Sequence, residues 1–140
     1  MRTDKNFTSV LLHYVMGTKQ ESPIFADLNM RNLLYEVVTQ IGREQGYEFY
    51  CISGHSDHLH LIVELGKNQK ICRVAHTVQD MTRKYFLKEF NLDLCWHDCF
   101  IALSIGVGEY RALEQQIKTD STHKSYSDEY IEIARAALLI

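Results

Sequence analysis

The sequence predicts an α+β sandwich of ferredoxin-like type: an antiparallel sheet of four to five strands carrying its two larger helices on one face. Three observations lead there. Short runs rich in β-branched and aromatic residues occur four times, and two long stretches repeat apolar residues at helical spacing. The elements follow one another as β-α-β-β-α-β-α-α.

FTSVLLHYVMG (Phe7 to Gly17) is apolar and stops at a glycine, which reads as the first strand. The one proline, Pro23, marks a loop. From Asp27 onward Leu28, Met30, Leu33, Leu34, Val37, Val38 and Ile41 recur at helical intervals, giving an amphipathic helix that ends between Gly42 and Gly46. YEFYCISG (Tyr47 to Gly54) and HLHLIVEL (His58 to Leu65), joined by a short polar connection, read as a hairpin. After Gly66, the spacing of Ile71, Val74, Ala75, Val78, Met81, Tyr85 and Phe86 predicts a second helix beside the first. CFIALSIGVG (Cys99 to Gly108) reads as the fourth strand, Glu109 to Thr119 as a helix, and Asp128 to Ile140 as a last one.

A length of 140 residues with 46 % apolar content suits one domain, residues 1–140, with a buried core. No apolar run is long enough to span a membrane, and MRTDKNFTS lacks the features of a secretory signal, so a soluble cytoplasmic protein without a membrane partner is expected. Cys51, Cys72, Cys95 and Cys99 form no CxxC pair and are expected reduced; Cys95, His97 and Cys99 lack the second pair that a structural zinc site needs. The net charge of −3 argues against broad electrostatic attachment to nucleic acid. Local basic groups remain, in Lys67, Lys70 and Arg73 and then Arg83, Lys84 and Lys88.

The stretch HSDHLHLIVEL holds the most specific chemistry. Side chains alternate along a strand, so His58, His60, Ile62 and Glu64 share one face while Leu59, Leu61, Val63 and Leu65 share the other. The leucine face belongs to the core. Imidazoles at i and i+2 stand roughly 6–7 Å apart, near enough to converge on one ion. The competing structural reading makes both histidines half-exposed residues on an open sheet face. His55 reads as a solvated turn residue, His76 as a partly buried helix residue, His97 as a loop residue, and His123 as a surface group or DNA neighbour.

The run GHSDHLHLIVEL resembles the histidine–hydrophobic–histidine (HUH) strand of the single-tyrosine transposases of insertion sequences and REP-associated elements, where the usual form is Asp-His-x-His-Leu. The strand at Phe7 to Gly17, the Pro23-Ile24-Phe25 turn, Trp96, the CFIALSIG run and THKSYSDEY (Thr122 to Tyr130) extend the resemblance over nearly the whole chain. It implies the HUH endonuclease fold and DNA transposition. Two histidines and a third polar ligand hold Mg2+ or Mn2+, and a tyrosine attacks a phosphodiester of single-stranded DNA. A 5′-phosphotyrosine link and a free 3′-OH result. The resemblance also implies a homodimer, in which the tyrosine helix can reach the partner's histidines, and DNA that includes hairpins.

In that family the nucleophile lies in a Tyr-x-x-x-Gln pattern on the helix after the last strand, the i, i+4 spacing placing hydroxyl and third ligand on one face. Tyr-x-x-x-Gln is absent here. Counting without gaps from Ser104 puts Gln116 at the tyrosine position and Asp120 at the glutamine position. The resemblance therefore points to His58, His60 and Asp120 as metal ligands, with Tyr110, earlier on the same helix, as the candidate nucleophile. Lys67, Lys70, Arg73, Arg83 and Lys84 are the candidate DNA contacts; Tyr126 and Tyr130 read as packing residues. Two functions follow: a nickase and strand transferase, or a descendant that keeps the fold, has lost the nucleophile and binds nucleic acid in a regulatory role. Metal-dependent hydrolysis by water, a third, needs only the histidine pair and an ion.

Overall fold

The computed structural model describes residues 9–119 and 125–136. Its elements are β1 (Val10–Gly17), α1 (Leu28–Gln45), β2 (Glu48–His55), β3 (His58–Leu65), α2 (Ile71–Phe90), β4 (Ile101–Ile105), α3 (Tyr110–Thr119) and α4 (Tyr126–Ala136). The strands form an antiparallel sheet in the order β2-β3-β1-β4, four strands among the described residues.

Local signals set the element ends. Asp27 caps α1, its carboxylate accepting the backbone N–H groups of Asn29 at 2.8 Å and Met30 at 3.4 Å. Gly46 ends that helix with φ +74°, a left-handed conformation that suits a residue without Cβ. The last helix starts at Tyr126, two residues before the expected Asp128, because Ser125 caps it: its Oγ accepts the Asp128 N–H at 3.2 Å. The expected tail of this helix, 137–140, lies outside the described residues.

The two sheet faces are covered differently. Leu12, Tyr14 and Met16 of β1 and Leu59, Leu61 and Val63 of β3 meet α1 and α2 in the main core, with Phe25, Leu94 and Trp96 closing one end. Each fully buried side chain of this size contributes about 1.5–3 kcal/mol. The opposite face carries His13 and Val15 of β1, His58, His60 and Ile62 of β3, and Ile101 and Leu103 of β4. It is not open. Tyr126 packs on Val15 and Ile101, with Ile133 beside them, so α4 lies over the histidines. No described helix is long and apolar enough to cross a membrane.

Candidate metal centre

The turn between β2 and β3 sets the position of the first histidine. His55 pairs with His58 across it, leaving only Ser56 and Asp57 to turn the chain. The Thr18 N–H donates to the Asp57 carbonyl at 2.8 Å and the Phe25 N–H to that of Ser56 at 2.9 Å, so the end of β1 and the following loop hold the turn. Gly54 allows the strands to close in: a Cβ there would strike the backbone of His58 and Leu59.

Within this frame His58 and His60 are both buried, at 4 % and 6 % exposure, which overturns the half-exposed reading. Their rings meet edge to face, with centroids 5.0 Å apart. Each Nδ1 has a buried partner: His58 Nδ1 lies 2.7 Å from Asp57 Oδ1, and His60 Nδ1 lies 2.9 Å from His13 Nε2. The other carboxylate oxygen of Asp57 accepts the N–H of Tyr126 at 3.2 Å. One aspartate thus holds a histidine and the start of α4 together. One turn on, Glu129 Oε1 stands 3.7 Å from His60 Nε2.

His58, His60 and Glu129 each offer a ligand atom, all within 4.8 Å of one another, the one such group of three among the described residues. Two imidazoles and a carboxylate suit a divalent ion, provided the imidazoles are neutral. At His58 burial favours the neutral form, pulling its pKa below the ordinary value against the hydrogen bond to the Asp57 carboxylate, which pulls the other way. His13 is pulled down to about 4 by burial first and by His60 second.

The centre opens into a cavity of about 560 Å³ between the sheet face, α3 and α4. From α3 it takes Ala112, Leu113, Gln116 and Ile117; Tyr110 is not in its lining. The Tyr110 ring packs on Tyr50 of the edge strand β2, with centroids 5.4 Å apart, and its hydroxyl donates to Glu114 Oε2 at 3.3 Å. Desolvation and then the Glu114 carboxylate hold that hydroxyl above its ordinary pKa. Tyr110 and Glu114 are an i, i+4 pair on one helix face, the expected tyrosine spacing with glutamate in place of glutamine. The ungapped count from Ser104 passed over it; the spacing from Tyr110 itself would have found it.

Asp120 and His123 lie outside the described residues. The basic groups form a separate layer. Lys70 precedes α2, and Arg73, Arg83 and Lys84 lie on it, across the sheet from the histidines; Arg83 is paired with Asp93 at 2.9 Å. Lys67 is exposed in the loop after β3, and neither it nor any of the others lines the cavity. His55 is half-buried in the cavity wall rather than solvated, and His97 packs on Tyr126. His76 is exposed, edge-on to Phe100, rather than partly buried. All four cysteines are free thiols.

Known proteins agree with this architecture. Over residues 6–120 the chain matches the family model described as "Transposase IS200 like". Among solved structures it is similar to a protein of Deinococcus radiodurans R1 described as a transposase, with a TM-score of 0.69 at 14 % identity over 89 % of this chain and 99 % of that one. It is also similar to a REP-associated tyrosine transposase bound to a REP hairpin, with a TM-score of 0.61 at 13 % identity over 86 % of this chain and 72 % of that one. Comparison with curated protein sequences gives no match. The family match spans most of the length and the solved structures share the fold: the chain belongs to the IS200-like family of HUH transposases.

Proposed function

We propose that the protein cleaves and rejoins single-stranded DNA in the cytoplasm, using His58, His60 and Glu129 to hold Mg2+ or Mn2+ and Tyr110 as nucleophile. The buried group of two imidazoles and a carboxylate carries this reading. When bound, such an ion supplies Lewis-acid polarisation of the scissile phosphate. Glu114, in hydrogen-bond contact with Tyr110, takes the phenolic proton. The tyrosine oxygen bonds to phosphorus, the bond from phosphorus to the 3′ oxygen breaks, and that oxygen leaves as a 3′-OH after taking up a proton. The 5′-phosphotyrosine keeps the bond energy, so attack by another 3′-OH reverses the step. Asp120, the carboxylate that the resemblance points to, lies outside the described residues; Glu129 Oε1 stands 3.7 Å from His60 Nε2.

Tyr110 and Glu114 face the β2 edge while Gln116 and Ile117 line the cavity, so the nucleophile does not address the histidines of its own chain in this arrangement. We infer a homodimer in which α3 of one protomer presents Tyr110 to the metal centre of the other. The solved relative held on a REP hairpin supports a hairpin-bearing strand as the DNA partner. Lys70, Arg73, Arg83 and Lys84, on or beside α2, and Lys67, in the loop after β3, lie away from the cavity and would meet only DNA that wraps round the molecule.

The test is a denaturing gel of labelled single-stranded DNA, including hairpins from the protein's own genomic flanks, incubated with Mn2+. A covalent protein–DNA adduct that disappears in Tyr110→Phe and in His58→Ala is the expected result. An adduct that survives Tyr110→Phe would move the nucleophile elsewhere; no adduct on any substrate would end the strand-transfer reading.

A further inference from the structure

The metal centre contains a third histidine that the HxH pattern does not announce. His13 lies opposite Ile62 in the β1–β3 ladder, hence diagonal to His60 and on the same face. Its neighbours on that face, Val15, Ile62, Ile101 and Leu103, are apolar. An imidazole at 7 % exposure among such residues costs free energy unless its polar atoms are satisfied. His60 satisfies one of them, Nε2: the rings stack at 17° with centroids 5.1 Å apart, and His13 Nε2 meets His60 Nδ1 at 2.9 Å.

We propose that His13 is a positioning residue, its Nε2 accepting the Nδ1 hydrogen of His60 and so keeping the His60 Nε2 lone pair free for a metal. Two nitrogens in contact share one hydrogen, so its position decides which end of His60 can ligate. If His13 donated instead, His60 would carry its hydrogen on Nε2, the nitrogen that faces Glu129 Oε1 at 3.7 Å, and that nitrogen could not ligate. His58 is arranged in the same sense, its Nδ1 held by Asp57. The two ligands therefore have anchors of different chemistry, a carboxylate for His58 and a neutral imidazole for His60.

This inference rests on the proposed metal role of His58 and His60, and the experiment separates the two. Mn2+ affinity is measured by calorimetry for the wild type, His13→Phe and His13→Gln, and the His60 tautomer is read by long-range 1H–15N NMR on the metal-free wild type. Phenylalanine keeps the stacked ring and removes the acceptor; glutamine keeps an acceptor oxygen. The expected result is binding about 10–100-fold weaker in His13→Phe and close to wild type in His13→Gln, with His60 protonated on Nδ1. Wild-type affinity in a folded His13→Phe, or a His60 protonated on Nε2, would overturn the role of His13 and leave the metal centre standing. A wild type that takes up no Mn2+ would overturn the metal centre itself. Should His13→Phe not fold, the glutamine variant and the wild-type spectrum decide alone, loss of binding in His13→Gln counting against the acceptor role.

Discussion

Gly17 lies directly beneath the ring of Tyr126: a Cβ on Gly17 would fall among the atoms of that ring. The first residue of α4 thus sits on the one position of β1 without a side chain. Glu129 follows one turn later, so the glycine governs how closely the carboxylate approaches His60. Gly17→Ala should push Tyr126 off the sheet, costing about 1–3 kcal/mol through overpacking. It should also weaken Mn2+ binding by roughly tenfold, as loss of second-shell support does. Thermal melts and calorimetry on the same variant check both. Destabilisation with unchanged Mn2+ affinity would detach Glu129 from the metal centre.

A shared site predicts rescue between two dead variants. Tyr110→Phe and His58→Ala should each form no adduct alone. Mixed and allowed to exchange subunits, they should recover activity, because in each mixed dimer one site receives an intact tyrosine from one protomer and intact histidines from the other. Random exchange makes half the dimers mixed, so recovery approaches about a quarter of the wild-type sites. If α3 served its own chain, every site in the mixed dimer would lack one component. Silence of the mixture under demonstrated exchange would therefore assign the tyrosine to its own protomer.

Neither the third member of the proposed ligand group, Glu129, nor the third histidine could be read locally. The HxH strand is legible because both residues lie on one element whose period of two fixes their facing. Glu129 is 69 residues from His60, on a helix whose docking depends on Asp57 accepting the Tyr126 N–H and on the missing Cβ of Gly17. In sequence His13 is one polar residue in an apolar strand, and only the β1–β3 register sets it diagonal to His60. The basic residues show the converse. They cluster in sequence, yet the apolar face of α2 decides which layer they join, and Val74, Ala75, Val78 and Phe86 turn that helix toward the leucines of β3. By contrast the Tyr110–Glu114 pair was legible from spacing alone.

Tyr126 also predicts how the fold responds to alkali. Its hydroxyl donates to the Cys99 carbonyl at 3.0 Å, and burial pushes its pKa up to about 12 from an ordinary value of 10. Above pH 10 the unfolded chain releases a proton that the native protein still holds, so stability falls as the pH rises from 10 through 12. The loss from this residue is about 1–2 kcal/mol after allowance for solvent screening. Tyr126→Phe should cost about 1 kcal/mol at neutral pH through the missing hydrogen bond and should flatten the alkaline limb. Urea midpoints at pH 7, 10 and 11.5 check it; parallel curves for the two proteins would mean that the hydroxyl titrates normally.

The opposite face of the sheet has its own polar anchor. Trp96 closes the main core beside Phe25, and its indole N–H donates to Thr82 Oγ1 at 3.0 Å in a buried contact. Thr82 in turn donates to the Val78 carbonyl at 2.7 Å, so the hydroxyl links the loop before β4 to the middle of α2. Thr82→Val keeps the shape but leaves the indole N–H buried without its acceptor, a loss of about 1–3 kcal/mol. Thr82→Ser, which keeps the acceptor and removes a methyl group, should cost less than valine does despite being the smaller residue. Chemical denaturation followed by the fluorescence of Trp96, the sole tryptophan, orders the three proteins. A valine variant as stable as wild type would show that the indole finds another acceptor, and a serine variant less stable than valine would make methyl packing the larger contribution at this position.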